Sequence, residues 1–267
     1  MRGGPGPRQK ILPGHESGRK NRFFLVGSGI FPQQADLFHG IECKDLVHRM
    51  TFPSSLADLL SDCFALQDEA TERWHSEEPA APEPPALAGP EVSPGALSNS
   101  LRALVLDQHL RNFRLWHVED TARRRDVDDA VIADCKRRID VLNQERNDRM
   151  ERVDACLVAL LRPFLPEACP EAYNTESPGM AIDRLSILSL KIWHMAEQTR
   201  REDASPDHIA ACREKLAVLH RQRQDLAAAV QGLMAEYLAG TKRPGVYFQF
   251  KMYNDPNLNP QLYAPRG

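Results

Sequence analysis

The run Ile182 to Gln198, IDRLSILSLKIWHMAEQ, constrains this chain most, because as a helix it has no ordinary solvent face. At ~100° per residue Leu185, Leu188, Ile192, Met195 and Ala196 share one side, while Asp183, Lys191, His194 and Gln198 line the other with Ile187 and Leu190 among them. A helix that meets water usually offers it Glu, Lys, Arg and Ala. A carboxylate, an ammonium, an imidazole and an amide interleaved with aliphatic residues read as the lining of a second, polar interior.

The surrounding sequence supplies the elements to enclose that helix. Leu97 to Arg125 carries Leu106, Leu110 and Phe113 on one stripe, and Asp128 or Asp129 caps a further pattern that continues to about Leu161, where Pro163 and Pro166 stop it. Ser177-Pro178 and Ser205-Pro206 are N-cap and first-turn pairs for the third and fourth long helices. The third fades near Asp203, and Gly240 ends the fourth. β-branched alternation is scarce before Val246. The expected fold is all-α: an antiparallel bundle of four long helices over 96–240, a shorter N-terminal helix within 53–78, and an extended C-terminal tail over 241–267 that closes it. Residues 79–95 carry six prolines in seventeen positions and read as a linker. Residues 1–52, rich in Gly, Pro and Arg and without a persistent period, are expected to be a disordered leader, with Met50 a candidate true start.

Composition narrows the function classes. With 267 residues, 42% hydrophobic and 27% charged, the chain suits one globular domain with extensions. A net charge of −3 gives no general basic field for nucleic acid. The six cysteines form no CxxC pair or metal-like spacing and read as reduced thiols of a cytoplasmic protein. No apolar run approaches the ~20 residues of a membrane span, and the short run Phe23 to Phe31 is broken by Gly27, Ser28 and Gly29.

Three further clusters carry chemistry. On the helix from Leu97, His109, Asn112, Trp116, Glu119, Asp120 and Arg123 fall in one sector away from the apolar stripe. An indole flanked by an imidazole, an amide and two carboxylates is either a ligand-facing wall or an ordinary half-buried aromatic, and Glu119 and Arg123 alone would make an ordinary one-turn ion pair. On the next helix Lys136, Asp140, Asn143 and Asn147 follow at helical spacing, with Arg146 nearby. Asparagine is a poor helix former, so the pair on one face serves either interhelical hydrogen bonding or a ligand's hydroxyl or phosphate oxygens. Asp183, Lys191 and His194 are either a buried ionic network or a site. In the site, Lys191 neutralises an anion, His194 exchanges a proton near neutral pH, and Asp183 orients one of them. Asn174 to Ser177 lies at the positive end of that helix with Arg184 close by, which favours phosphate. No HxxxH, ExxH or HExxH spacing commits His109, Glu119, Asp120, Asp183 and His194 to one ion, so no metal site is assigned, and the sequence names no cofactor. A weak internal echo pairs Gln67-x6-Trp74-His75 with His109-x6-Trp116-His117.

The tail QFKMYNDPNLNPQLY has two Asn/Asp-rich proline turns and reads as a strap that brings Lys251 and Tyr253 toward the same polar cavity, or that merely covers apolar surface. LWHVEDTAR, IDVLNQERND, NTESPGMAIDRLSILSLKIWHM and KMYNDPNLNP, in this order, resemble the bacterial family catalogued as domain of unknown function 4254, over about residues 55–263. The resemblance carries no activity. It implies a setting near glycosyltransferases and lipopolysaccharide or other surface-polysaccharide genes. The WxxED, NxxR and DRLSILxLK elements are also similar to those of a second uncharacterised polysaccharide-associated family, in a different order.

The expected site therefore comprises His194, Asp183, His109, Glu119 and Asp120 as reacting groups and Trp116, Asn143, Arg146, Asn147, Lys191, Lys251 and Tyr253 as binding groups. Its expected occupant is a small anionic glycan intermediate. The rival reading is a non-catalytic helical adaptor for a glycosyltransferase. A concave polar pocket favours the first, and a flat exposed apolar patch favours the second.

Overall fold

The computed structural model describes residues 43–80, 93–168 and 171–264, with side chains throughout except at 43–54, 94 and 253. Residues 1–42 of the leader expected over 1–52, most of the linker (81–92) and the Tyr253 side chain lie outside the described residues, whereas 43–52 are helical. The described residues are all-α: α1 (Cys43–Ser76), α2 (Pro94–Ala122), α3 (Asp129–Leu161), α4 (Pro178–Gln198), α5 (Pro206–Leu238) and the single turn α6 (Pro260–Tyr263). None of these helices is long and apolar enough to cross a membrane.

Local capping chemistry sets most boundaries. The hydroxyls of Ser93, Ser177 and Ser205 accept the backbone N–H of Ala96, Met180 and His208, and proline follows each serine. Asp128 precedes α3 in extended conformation. Beyond α5, Gly240 takes φ of +69°, the left-handed conformation glycine adopts without the Cβ penalty. A Cβ there would also stand 2.5 Å from Cγ of Pro166.

The first helix departs from expectation. It starts at Cys43, ten residues before the boundary expected at 53, and at 34 residues it is not the short member of the set. Pro53, read from sequence as a helix start, lies inside it. α1 is also a full partner in the core, because Leu56, Leu59, Leu60, Cys63 and Phe64 pack with Leu101 and Leu104 of α2, Val153 and Leu157 of α3, Ile182 and Leu185 of α4, and Val230 and Tyr237 of α5. Burial of this apolar surface, at roughly 25 cal/mol per Å2, is the main drive for assembly. A second cluster, Ala70, Trp74, Leu110, Phe113 and Leu190, continues toward the other end of α1 and α2.

α4 is enclosed on two sides, as its sequence requires: Ile182, Asp183, Leu185, Ser186, Ser189 and Leu190 are all buried. The tail runs back along α3. Arg243 N–H donates to the Ala172 carbonyl, Gln249 N–H to Glu151 Oε1, Lys251 Nζ to the Asn143 carbonyl and Asn254 Nδ2 to Gln144 Oε1.

Candidate functional site: a buried polar spine and an adjoining cleft

Asp183 lies one turn into α4 and is 2% exposed. Its carboxylate collects four N–H donors from two helices. Oδ1 accepts from Gln108 Nε2, from Asn112 Nδ2 at 2.9 Å and from Arg146 Nε at 2.8 Å, while Oδ2 accepts from Arg146 Nη2. A buried carboxylate is tolerated only when a counter-charge and hydrogen bonds replace water, and the bidentate guanidinium of Arg146 supplies both. Lys191, expected beside Asp183, is exposed and takes no part. The counter-ion comes from α3 because Arg146 projects across the interface, whereas Lys191 stays on the outer side of α4.

From Asp183 a chain of hydrogen bonds runs through the bundle to α1. Asn112 Nδ2 also donates to Ser186 Oγ at 2.9 Å; Ser186 Oγ meets His109 Nδ1 at 2.7 Å; His109 Nε2 meets Thr71 Oγ1 at 3.0 Å; and Thr71 Oγ1 donates to the Gln67 carbonyl at 2.8 Å. The proton positions follow from the ends. A carbonyl only accepts, so the Thr71 hydroxyl proton points at Gln67 and its oxygen must accept from His109 Nε2–H. His109 Nδ1 is then an acceptor, the Ser186 hydroxyl donates to it, and Ser186 accepts from Asn112. Every member has one consistent role. Burial drives the His109 pKa down to about 3, so the ring is neutral. His109 stacks on Trp74, has no exposure, and spends both nitrogens inside the network. Neither ring nitrogen is therefore open to solvent or to the cleft.

Beside this spine opens a cleft of about 440 Å3 lined by Asn112, Trp116, Glu119, Asp120, Arg123 and Arg146, with Leu115, Ile187 and Leu190 as its apolar part. The α2 sector expected to face a ligand thus forms one wall, except His109, which is buried behind it. Arg123 is bound to Glu119 through the carboxylate at 2.7 Å and the backbone carbonyl at 2.6 Å. Asp120 is exposed. Asn147 is buried, and its Nδ2 has no partner among the described residues. Asn143 meets the tail through its carbonyl, which places Lys251 on α3 and outside the lining of the cleft.

His194 stands at the C-terminal end of α4, away from Asp183, and its ring lies flat on Trp116 with centroids 4.6 Å apart and planes 5° apart. Its neighbours are histidines: His75 at the end of α1 and His117 on α2, centroids 4.9 and 5.7 Å away. His75 in turn stacks on Trp193 at 3.3 Å. Burial pushes the pKa of both His75 and His194 below the ordinary imidazole value. Sequence reasoning paired Trp74-His75 with Trp116-His117 but missed the third member, Trp193-His194. All three tryptophans of the chain immediately precede these three histidines.

Two other features were not foreseen. Asp107, fully buried, holds Arg111 one turn on at 3.0 Å and Arg149 of α3 at 2.7 Å, while Arg111 also reaches Glu145 at 2.6 Å. At the start of α4, Asp154 of α3 accepts the Gly179 N–H at 2.6 Å. The positive helix end that favoured phosphate in the sequence is occupied by the chain's own carboxyl group. A Cβ on Gly179 would lie 2.4 Å from the Met150 carbonyl oxygen, so only glycine permits this approach of α4 to α3.

The model of the family described as "Protein of unknown function (DUF4254)" matches residues 102–246, which contain α3 to α5 and all but the first two turns of α2, and thus the cleft and most of the polar spine. Neither the curated proteins nor the solved structures contain a match to this chain.

Proposed function

Given that the chain belongs to the DUF4254 family, we propose that it binds, or acts on, a phosphorylated sugar, sugar nucleotide or similar anionic intermediate of bacterial cell-surface glycan assembly, in the cleft beside Asp183. The observation that carries this reading is the composition of the cleft, in which an indole, two carboxylates, an amide and two guanidinium groups converge on one concavity. Trp116 offers a flat apolar face of the size of a sugar ring. Glu119 and Asp120 are acceptors for hydroxyl groups, and an exposed carboxylate such as Asp120 is also a candidate general base. Arg123 and Arg146 are the groups for an anionic substituent. Asp183, Gln108 and Asn112 hold the Arg146 fork in place. Four buried thiols with no disulfide among the described residues support a cytoplasmic setting.

The test is calorimetric titration of the purified protein with nucleoside diphosphate sugars and sugar phosphates. Saturable binding that Trp116→Ala and Arg123→Ala each weaken at least tenfold, without lowering the melting temperature by more than a few degrees, supports the reading. Absence of saturable binding across that panel, or binding indifferent to both substitutions, removes it.

One observation favours the adaptor alternative. Along the tail Phe248, Phe250, Met252, Leu258, Leu262 and Tyr263 are exposed, Phe250 by 78%. A strap of apolar side chains facing outward suits a protein partner such as a glycosyltransferase. Co-elution with a glycosyltransferase that is lost on replacing Phe248 and Phe250 by serine, together with an empty ligand panel, would decide for it.

A further inference from the structure

We propose that His75, His117 and His194 form a binding site for one divalent first-row transition-metal ion, zinc foremost, with their Nε2 atoms as ligands and at least one coordination position left open. The proposal does not depend on the cleft's occupant.

One ring nitrogen from each of the three histidines lies within 4.8 Å of the other two. Proximity alone would not make a site, and the hydrogen bonds on the far sides of the rings are what distinguish this cluster. His75 Nδ1 lies 2.6 Å from the Thr71 carbonyl, His117 Nδ1 lies 2.8 Å from the Phe113 carbonyl, and His194 Nδ1 lies 3.2 Å from Glu197 Oε2. Each acceptor requires a proton on Nδ1, which leaves the lone pair of a neutral ring on Nε2. All three rings are thus held in one tautomer by an outer partner, two by backbone carbonyls and one by a carboxylate, the arrangement that orients histidine ligands around a metal.

The consequence is electrostatic. His75 Nε2 and His194 Nε2 face each other at 3.4 Å, and with both Nδ1 atoms protonated neither is a donor to the other. Two lone pairs at that separation repel unless a cation lies between them. A tetrahedral zinc ion with bonds of ~2.0–2.1 Å separates its nitrogen ligands by about 3.3–3.4 Å, which is the observed spacing. The other separations, within 4.8 Å, close to the same value with side-chain shifts of at most about 1.4 Å. Imidazole nitrogens select zinc, copper, nickel or iron over magnesium and calcium, which prefer oxygen. Aromatic rings wall the cluster: Trp193 on His75, Trp116 on His194 and Phe113 against His75 and His117. Such a wall limits water and strengthens the field of a bound ion. Three protein ligands are one short of a closed structural site, so a bound ion keeps a position for water or a ligand. Trp116, shared by the triad and the cleft, puts that position next to the concavity.

The experiment is titration of the full chain, stripped with chelator, with Zn2+ by calorimetry and with Co2+ followed by visible absorption. We expect one equivalent to bind with micromolar affinity or better, a cobalt spectrum of tetrahedral type, and a melting temperature that rises with metal. His75→Gln, His117→Gln and His194→Gln should each weaken binding at least a hundredfold, Glu197→Gln about tenfold, and His220→Gln not at all. Circular dichroism establishes that each variant is folded. Should any fail, X-ray absorption on the zinc-loaded wild-type chain must count three imidazole nitrogens. No saturable one-to-one binding, binding unchanged in the three histidine variants, or fewer than three imidazoles on the ion would overturn the proposal.

Discussion

Arg146 of α3 takes both carboxylate oxygens of Asp183 in α4, while Lys191, a cation on the same helix as Asp183, is left at the surface. The two basic residues should therefore behave oppositely. Arg146→Met strands a buried carboxylate and should cost about 3–5 kcal/mol, the range for breaking one side of a buried pair. Lys191→Met should fall within about 0.5 kcal/mol of wild type, as for most surface substitutions. Urea melts of the two variants at pH 7 give the comparison. Equal effects would mean that Asp183 has another counter-ion.

Acidification should weaken the fold through His109. Its folded pKa of about 3 lies below the ordinary value of 6.5, so between those values the unfolded chain binds a proton that the folded chain refuses. Stability is lost as pH falls through this window, by about 2 kcal/mol at pH 5 relative to pH 7.5. His109→Gln removes the group from both states. The difference between wild type and variant in denaturant midpoints should shrink from pH 7.5 to pH 5, and a constant difference would contradict the buried neutral ring.

Asp154 should act with the opposite sign. Burial pushes its carboxyl up to about 6 from 3.8, so the folded chain holds a proton that the unfolded chain has lost. Its contribution falls as pH rises from about 4 to about 6, by roughly 3 kcal/mol, and is flat above. Asp154→Asn should gain on wild type across that interval, measured in the same melts.

Two glycines make a paired test of packing. Gly179→Ala places a methyl group 2.4 Å from the Met150 carbonyl oxygen. α4 must move off α3, which should cost about 3 kcal/mol, the upper part of the usual range for overpacking. Gly232→Ala meets nothing within 4 Å on α5 and should stabilise by up to about 1 kcal/mol from helix propensity alone. Thermal melts that rank the two variants the other way would refute the close approach at Gly179.

The fold was legible wherever a boundary is local chemistry. Ser177-Pro178 and Ser205-Pro206 mark helix starts because each serine hydroxyl accepts an N–H three residues on, and Gly240 marks an end through its left-handed φ, whereas Asp128 precedes α3 without a side-chain capping hydrogen bond. The start of α1 was not legible, since a proline at 53 reads as a first-turn residue and the helix nonetheless runs through it from Cys43. In the site, Asn112, Trp116 and Glu119 could be grouped from one helical wheel. Choosing Arg146 over Lys191 as the partner of Asp183 required knowing how α3 is rotated against α4, which no single helix encodes. The histidine triad hides for the same reason: its members are separated by 42 and 77 positions, and their meeting depends on where three helices place their ends. The Trp-His pairs were visible, but only packing gives the repetition a meaning.

The chain from Asp183 through Asn112, Ser186, His109 and Thr71 to Gln67 has a further effect on the bundle. Aliphatic stripes tolerate sliding: a helix displaced by one turn, ~5.4 Å, sets one leucine where another had been and loses little. The same slip of α4 would take Asp183 and Ser186 from their partners at once, a slip of α2 would unmate Gln108, Asn112 and His109, and a slip of α1 would part Thr71 from His109. The polar residues thus act as the teeth of a key, rejecting misaligned bundles that the greasy contacts alone would accept.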